Sequence, residues 1–299
     1  GKFDVFRRKI TDLLFSVKVP QPPYTQDSQW RNIGEMESKG WEFEIGGDII
    51  RNKNFTWTTN LNLSHTSGKI LTLYGDNTYI NGNGFPAPGS PGDASRIEAG
   101  AEIGSFYIWK FAGFDDNGEF LLYNKDGEVI PAAKKDQGDK QYIGNYTPSL
   151  IVGWNHTFQY KNFDLGINMR SWIDFDVYNT IDMYYGIQGR GNINVLKDAY
   201  GKYNHIKGEK QICDYYLQDG TFLKIDAITL GYTLDAKKLT NNMVERIRIY
   251  GTVGNVCTFT GYNGMNPEVN VTGWDRGTEK FWEIYPMART YTLGMQFNF

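Results

Sequence analysis

The last twelve residues, Ala288-Arg-Thr-Tyr-Thr-Leu-Gly-Met-Gln-Phe-Asn-Phe299, most narrowly constrain what this chain can fold into. Tyr291, Leu293, Met295, Phe297 and Phe299 alternate with Thr290, Thr292, Gly294, Gln296 and Asn298. Successive side chains of a strand point to opposite faces, so this ribbon has one apolar side and one polar side. A soluble sandwich would turn the apolar side to a core. An outer-membrane barrel would turn it to lipid and the polar side to a wet lumen. The rest of the chain decides between them.

The same alternation recurs upstream as hairpins. Trp41, Phe43, Ile45, Gly47 and Ile49 oppose Glu42, Glu44 and Asp48; after the turn Arg51–Asn54, Phe55, Trp57, Leu61 and Leu63 oppose Thr56, Thr58, Asn60, Asn62 and Ser64. Leu150, Val152, Trp154, Phe158 and Tyr160 lead into the turn Lys161-Asn162, and Phe163, Leu165, Ile167, Met169 and Ser171 return opposite Asp164, Asn168 and Arg170. Two further strands carry Ile228, Leu230, Tyr232 and Leu234, then Ile247, Ile249 and Val253. Asn32–Gly40 reads as a turn-rich lead-in, and Val19-Pro-Gln-Pro-Pro-Tyr24 cannot be a paired strand.

Between these strands the connections alternate in length. Residues 66–147, 174–220 and 258–285 are long, residues 51–54 and 161–162 short, and residues 235–245 of medium length with a short helix expected at Lys238–Val244. Segment 67–147 reads as one long extracellular loop holding a small β-rich insert around Gly104–Phe114. All the short connections fall at one end, with Phe55, Trp57, Tyr160, Phe163, Phe297 and Phe299 beside them. Outer-membrane barrels segregate loop length in this way and place aromatic girdles at the interfaces. The pattern therefore predicts an all-β fold, a transmembrane antiparallel β-barrel with long extracellular loops and short periplasmic turns.

A net charge of −3 gives no reason to expect a nucleic-acid partner. Mean hydropathy is −0.50, and no apolar run approaches the about 18 residues of a spanning helix, which excludes a helical membrane protein but not a barrel. Cys213 and Cys257 lack metal-site spacing and read as free thiols, with a single bridge as the alternative. Gly1-Lys-Phe-Asp-Val-Phe reads as the middle of a strand rather than a signal peptide, so the chain is expected to be the C-terminal piece of something longer. His65, His156 and His205 are scattered, and neither nucleophile elbow, P-loop, dinucleotide fingerprint nor zinc helix is present, so no enzyme, metal or cofactor is expected. Asp115-Asp-Asn-Gly-Glu119 lacks the alternating ligands of a calcium loop and reads as a turn.

Several segments resemble one family, the SusC/RagA-like TonB-dependent outer-membrane transporters of the Bacteroidetes. They are Asn32–Gly40, Tyr142-Ile-Gly-Asn-Tyr-Thr-Pro148, Tyr160-Lys-Asn-Phe-Asp-Leu165, Gly264-Met-Asn-Pro-Glu268 and Tyr285–Phe299. They span nearly the whole chain in order. The resemblance implies the C-terminal part, residues 1–299, of a plugged barrel of about 22 strands, of which this chain supplies about the last eight. It also implies import of oligosaccharides (peptides in one branch of the family), driven by the TonB complex acting on segments outside this chain. A SusD-like surface lipoprotein would cover the barrel. Asn266 stands where the family often has Asp before Pro.

Candidate site residues follow from the faces and the loops. Asn60, Asn62, Asn168, Arg170, Gln296 and Asn298 would face the lumen. Tyr184 and Tyr185, with Trp274, Asp275, Arg276 and Trp282, combine aromatic platforms and planar polar groups, which sugars need. Those same loop aromatics could instead pack the loops together or against the lipoprotein. A secreted carbohydrate-binding sandwich and an outer-membrane enzyme barrel are the competing readings. The first would be water-soluble, and the second lacks a Ser/His pairing.

Overall fold

The computed structural model describes all residues except 33, 74–78, 83–84, 86–91, 189–192, 242, 270–275 and 280–284, and only the backbone of residues 15, 17, 18 and 81. Its main element is an eight-stranded antiparallel sheet. The strands are β1 (Lys2–Ile10), β2 (Glu35–Arg51), β3 (Phe55–Thr72), β4 (Leu150–Tyr160), β5 (Phe163–Ile173), β6 (Phe222–Asp235), β7 (Arg246–Thr260) and β8 (Thr290–Asn298). Each pairs with the next along the chain, so the sheet is a simple meander, and it is an open wall rather than a closed barrel.

Register turns the alternation of single strands into continuous faces. Trp57, Phe158, Leu165, Leu230, Gly251 and Leu293 stand in one row across six strands. The next row toward the short turns is Phe55, Tyr160, Phe163, Tyr232, Ile249 and Met295, an aromatic-rich band at the end where a girdle was expected. The opposite face carries Thr58, Thr157, Gly166, Thr229, Thr252 and Thr292, with Thr229 and Thr252 hydrogen-bonded at 2.9 Å. Leu293 is 82% exposed and Leu230 55%, so the apolar face has no protein core against it.

The turns are built for their length. Asn52 closes the first by accepting from the backbone N–H groups of Asn54 and Phe55 at 3.1 and 2.9 Å. Among the described residues of Lys238–Val244 the expected helix is not formed; residues 237–241 are a turn. The Thr240 hydroxyl donates to the Ala236 carbonyl at 2.8 Å and accepts from Val244 N–H at 2.9 Å, and such side-chain bonds compete with a helix.

Two strand boundaries differ from the sequence reading, and one hairpin is additional to it. Strand β2 begins at Glu35, inside the expected lead-in, and β3 runs to Thr72, past the expected start of the long loop. Beyond the apolar band the face that carried Trp41 and Phe43 becomes charged (Arg7, Glu37, Lys39), while Ile10, Met36 and Ile70 form a row on the other face, so the earlier alternation no longer marks the strand. Pairing there is supported by ion pairs, Arg7–Glu37 at 2.5 Å and Lys9–Glu35 at 2.8 Å. The proline run itself is unpaired, as expected, but its flanks Leu14–Lys18 and Ser28–Asn32 form a hairpin around it.

Between β3 and β4 lie three small sheets, of which one pairs Tyr79–Asn81 with Arg96–Glu98 and two belong to the expected insert. Of these two, one is Phe120–Tyr123 between Lys110–Phe114 and Val129–Pro131; the other pairs Ser105–Ile108 with Gln141–Asn145. The main apolar core lies among these loops and not in the wall: Phe106, Ile108, Trp109, Phe120, Leu122, Tyr178, Met183 and Tyr216 are buried together.

The faces predict opposite responses to the same charge. Leu293→Arg should cost the assembled barrel about 2–4 kcal/mol in a bilayer, as an arginine on a lipid-facing strand surface does, whereas Thr292→Arg should cost less than about 1 kcal/mol. Urea unfolding in liposomes measures both; equal costs would mean that the faces are misassigned.

Candidate functional site

Two features can carry function: the polar face of the wall and the loop body folded over one end of it. On the polar face Asn60, Asn155 and Asn168 stand side by side, as do Asn62, Gly153 and Arg170, while Gln296 pairs with Arg248 and Asn298 with Arg246. The six residues expected to line a lumen therefore share one face of the sheet. Near the short turns this face is locked by Arg248, which binds Asp164 through two bonds (2.9 and 2.5 Å) and lies 4.8 Å over the Tyr250 ring. Gly231 and Gly294 make the room. A Cβ at Gly231 would lie 2.5 Å from Asp164 Oδ1, and one at Gly294 would lie 2.4 Å from the Tyr250 ring.

At the loop end, a bulge at Asp226 interrupts the β5–β6 register. It aims the carboxylate at Arg170, 2.9 Å away, beside the otherwise repulsive neighbour Lys224. The connection between β7 and β8 supplies the second acid. Glu268 reaches Arg170 at 2.8 Å and Lys224 at 2.9 Å, which neutralises the basic pair and pins the loop to the wall.

The loop body is organised around a buried carboxylate. Helix α1 (Thr180–Tyr185) starts at Asn179, whose side chain accepts from Asp182 N–H at 3.0 Å. The Thr180 hydroxyl donates to the Glu279 carbonyl, and Asp182 accepts from the Tyr203 hydroxyl at 2.6 Å. Glu279 is fully buried and accepts from the Tyr262 hydroxyl at 2.6 Å and from the Met265 and Asn266 N–H groups at 2.7 and 2.9 Å. Desolvation pushes its carboxyl above the ordinary range even though those three donors pull the other way.

Of the loop residues chosen from sequence, Tyr184 is buried at 3% exposure within the loop core, with its phenol pushed up to about 12 by burial. That is the packing role weighed against substrate contact. Tyr185 packs half-buried against the same core, and Arg276 is half-buried. Trp274, Asp275 and Trp282 lie outside the described residues. Cys213 and Cys257 are free thiols. Asp115 closes a turn by accepting from Asn117 and Glu119 N–H groups at 2.9 and 2.8 Å. Among the described residues no three His, Cys, Asp or Glu side chains gather as a metal cluster. Sequence reasoning missed Glu268 and Glu279. Glu268 sits in a segment quoted for family resemblance, but nothing local marks either as a loop anchor.

The family model for the TonB dependent receptor-like β-barrel matches residues 1–179. The chain belongs to this family. TonB-dependent receptor P3 of Formosa agariphila is 29% identical over 99% of the chain and 32% of its own length. TonB-dependent receptor SusC of Bacteroides thetaiotaomicron is 30% identical over all of the chain and 30% of its own length. The chain thus spans about a third of the length of the curated relatives it matches. Among solved structures, that of the RagAB peptide transporter superposes with a TM-score of 0.81 at 21% identity, covering 99% of this chain and 32% of that one; the closed-closed state of the RagAB importer gives 0.77. These likenesses fix the fold as part of a TonB-dependent receptor barrel. The protein is an outer-membrane protein.

Glu279 supplies a test of the loop body. Its raised value means that folding favours the protonated form, so its contribution is full below the ordinary 4.5 and is lost as pH rises through the folded-state value. Glu279→Gln should remove that pH dependence, whereas Glu279→Ala leaves three donors without an acceptor and should cost about 2–3 kcal/mol locally. Hydrogen exchange of residues 262–279 against pH reads both; equal protection in all three proteins would refute the anchor role.

Proposed function

We propose that the chain forms part of the wall and roof of an active outer-membrane importer of oligosaccharides, energised through TonB and covered by a SusD-like surface lipoprotein. The reading rests foremost on the wall itself, which is apolar toward lipid and lined with amides and hydroxyls on its other face, under a folded loop body. Asn60, Asn62, Asn168, Arg170, Gln296 and Asn298 then line the lumen. The SusC relative, aligned along the whole chain, supports the glycan branch of the family. Of the loop residues, Tyr185 and Arg276 remain candidates for contact with substrate, together with Trp274, Asp275 and Trp282; Tyr184 holds the roof together.

A second reading, peptide import, is favoured by the likeness to the RagAB peptide transporter. Uptake of labelled neutral hexasaccharides and of labelled hexapeptides, by cells with and without the protein, separates the two. The expected result is hexasaccharide uptake that is lost on deletion of the protein and on collapse of the proton-motive force. Uptake of peptides alone would select the second reading, and uptake that survives the uncoupler would overturn active transport.

A further inference from the structure

We propose that the seam between β3 and β4 holds one anionic phospholipid of the periplasmic leaflet, its phosphate at Lys53 and Lys161 and an acyl chain along an aromatic strip that ends at Trp154; this rests on the reading above that the apolar face meets lipid. The seam is flanked by β2 and β5, and its apolar side is the one turned away from the lumen. A lipid there meets only these strands, whatever fills the barrel or completes it.

The polar end comes from the short turns. Arg51–Asn54 and Lys161-Asn162 carry Arg51, Lys53 and Lys161 and no acid. Arg51 is taken by Asp48 at 2.6 Å. The Lys161 N–H donates to the Asn54 carbonyl at 3.0 Å, which sets the two turns side by side and brings Lys53 next to Lys161. Lys161 then bends back over the Tyr160 ring, its ammonium 5.4 Å from the ring centre, so the charge stands on the apolar side of the wall. A tyrosine with a lysine at the membrane interface lies at the level of the lipid headgroups, and each such cation adds attraction for an anionic one. A zwitterionic headgroup brings its own ammonium, which competes with the lysines for the phosphate. An anionic headgroup brings none.

The apolar end is a fixed strip. Phe55 and Trp57 stack on Phe158 with ring centroids 6.5 and 5.7 Å away, His156 stacks on it at 5.9 Å, and Trp154 lies 4.5 Å from His156. Hydrogen bonds within the strip hold the rings. Trp57 Nε1 donates to His156 Nδ1 at 3.3 Å, Trp154 Nε1 donates to the Thr59 hydroxyl at 3.0 Å, and that hydroxyl donates to the Asn155 carbonyl at 3.2 Å. Donors bonded in this way cost less in hydrocarbon, which is how two indoles and an imidazole come to stand on an apolar face. Rings already held need no ordering when a chain settles on them. From Tyr160 to Trp154 the strand rises about 20 Å, or about 14 Å once tilted by about 45°, which matches one leaflet of a hydrocarbon core about 30 Å thick. One acyl chain covers the strip from end to end.

The test uses the full-length protein in phosphatidylcholine vesicles, with barrel assembly checked by heat-modifiable mobility. A small share of the lipid is replaced by phosphatidylglycerol or phosphatidylcholine brominated on its acyl chains. Bromine quenching at Trp57 and Trp154 is read as the difference from the variant carrying Trp57→Phe and Trp154→Phe. Brominated phosphatidylglycerol should be preferred about fivefold for each lysine. Lys53→Gln with Lys161→Gln should erase the preference, and Lys238→Gln, in the next turn, should keep it. Equal quenching by the two lipids in the unaltered protein overturns the site and leaves the lipid-facing reading intact. Loss of the preference in Lys238→Gln as complete as in the double variant overturns the assignment to this seam. Quenching by neither lipid overturns the lipid-facing reading and the site with it.

Discussion

Hydrocarbon offers a peptide group no partner, so every N–H and C=O crossing it must be bonded within the protein. A meander in which each strand pairs with the next meets that demand with the shortest connections. Once the ladder is set, the two-residue period of a strand does the rest, and one face becomes apolar without interruption while the other becomes polar. The few large polar groups of the wall near the short turns then need neighbours that leave room. Gly231 and Gly294 do this for the Asp164–Arg248–Tyr250 cluster, where any side chain would collide with it.

Above the bilayer the constraint changes. Water reaches both faces, the wall no longer needs an apolar side, and strands continue on ion pairs. The loops, too long to lie flat, bury their own aromatics instead and so build the one large apolar core in the described chain. That core is tied down by carboxylates. Glu279 gathers three donors from the last long loop, and Glu268 carries the same loop to Arg170 and Lys224 on the wall. The loop body is therefore fastened to the polar face of the strands.

How much of this was legible follows from the range of each interaction. The alternation of Phe55–Ser64 or Tyr291–Phe299 is written in adjacent residues, and so are the turns at Asn52 and Lys161, so the strands and their faces could be read directly. The wall beyond the apolar band could not, since Glu35–Gly40 pairs through charges whose partners lie on other strands. The bulge at Asp226 leaves only a small break of phase in the sequence, and the bond to Arg170 that explains it spans 56 residues. Tyr184 and Tyr185 looked alike because composition does not say which side of a short helix meets a core; in the fold Tyr184 is buried and Tyr185 only half so. Glu279 was silent for the same reason, its donors coming from residues 262–266 folded back on it.

The charges of the polar wall fall into two kinds, and the difference is thermodynamic. Lys224 is almost wholly buried beneath the loop, where an unpaired ammonium would cost several kcal/mol in lost hydration, roughly the scale measured when one partner of a buried ion pair is removed. It is accordingly matched by Glu268, and stability alone explains the pairing. Glu42 and Glu44 are exposed within the described part of the wall, where an unmatched carboxylate that keeps its water costs the fold little. Folding places no demand on their sign. Lys224 thus carries a charge whose partner the fold of the loop dictates, whereas the signs of Glu42 and Glu44 are set by something other than the packing of the described wall.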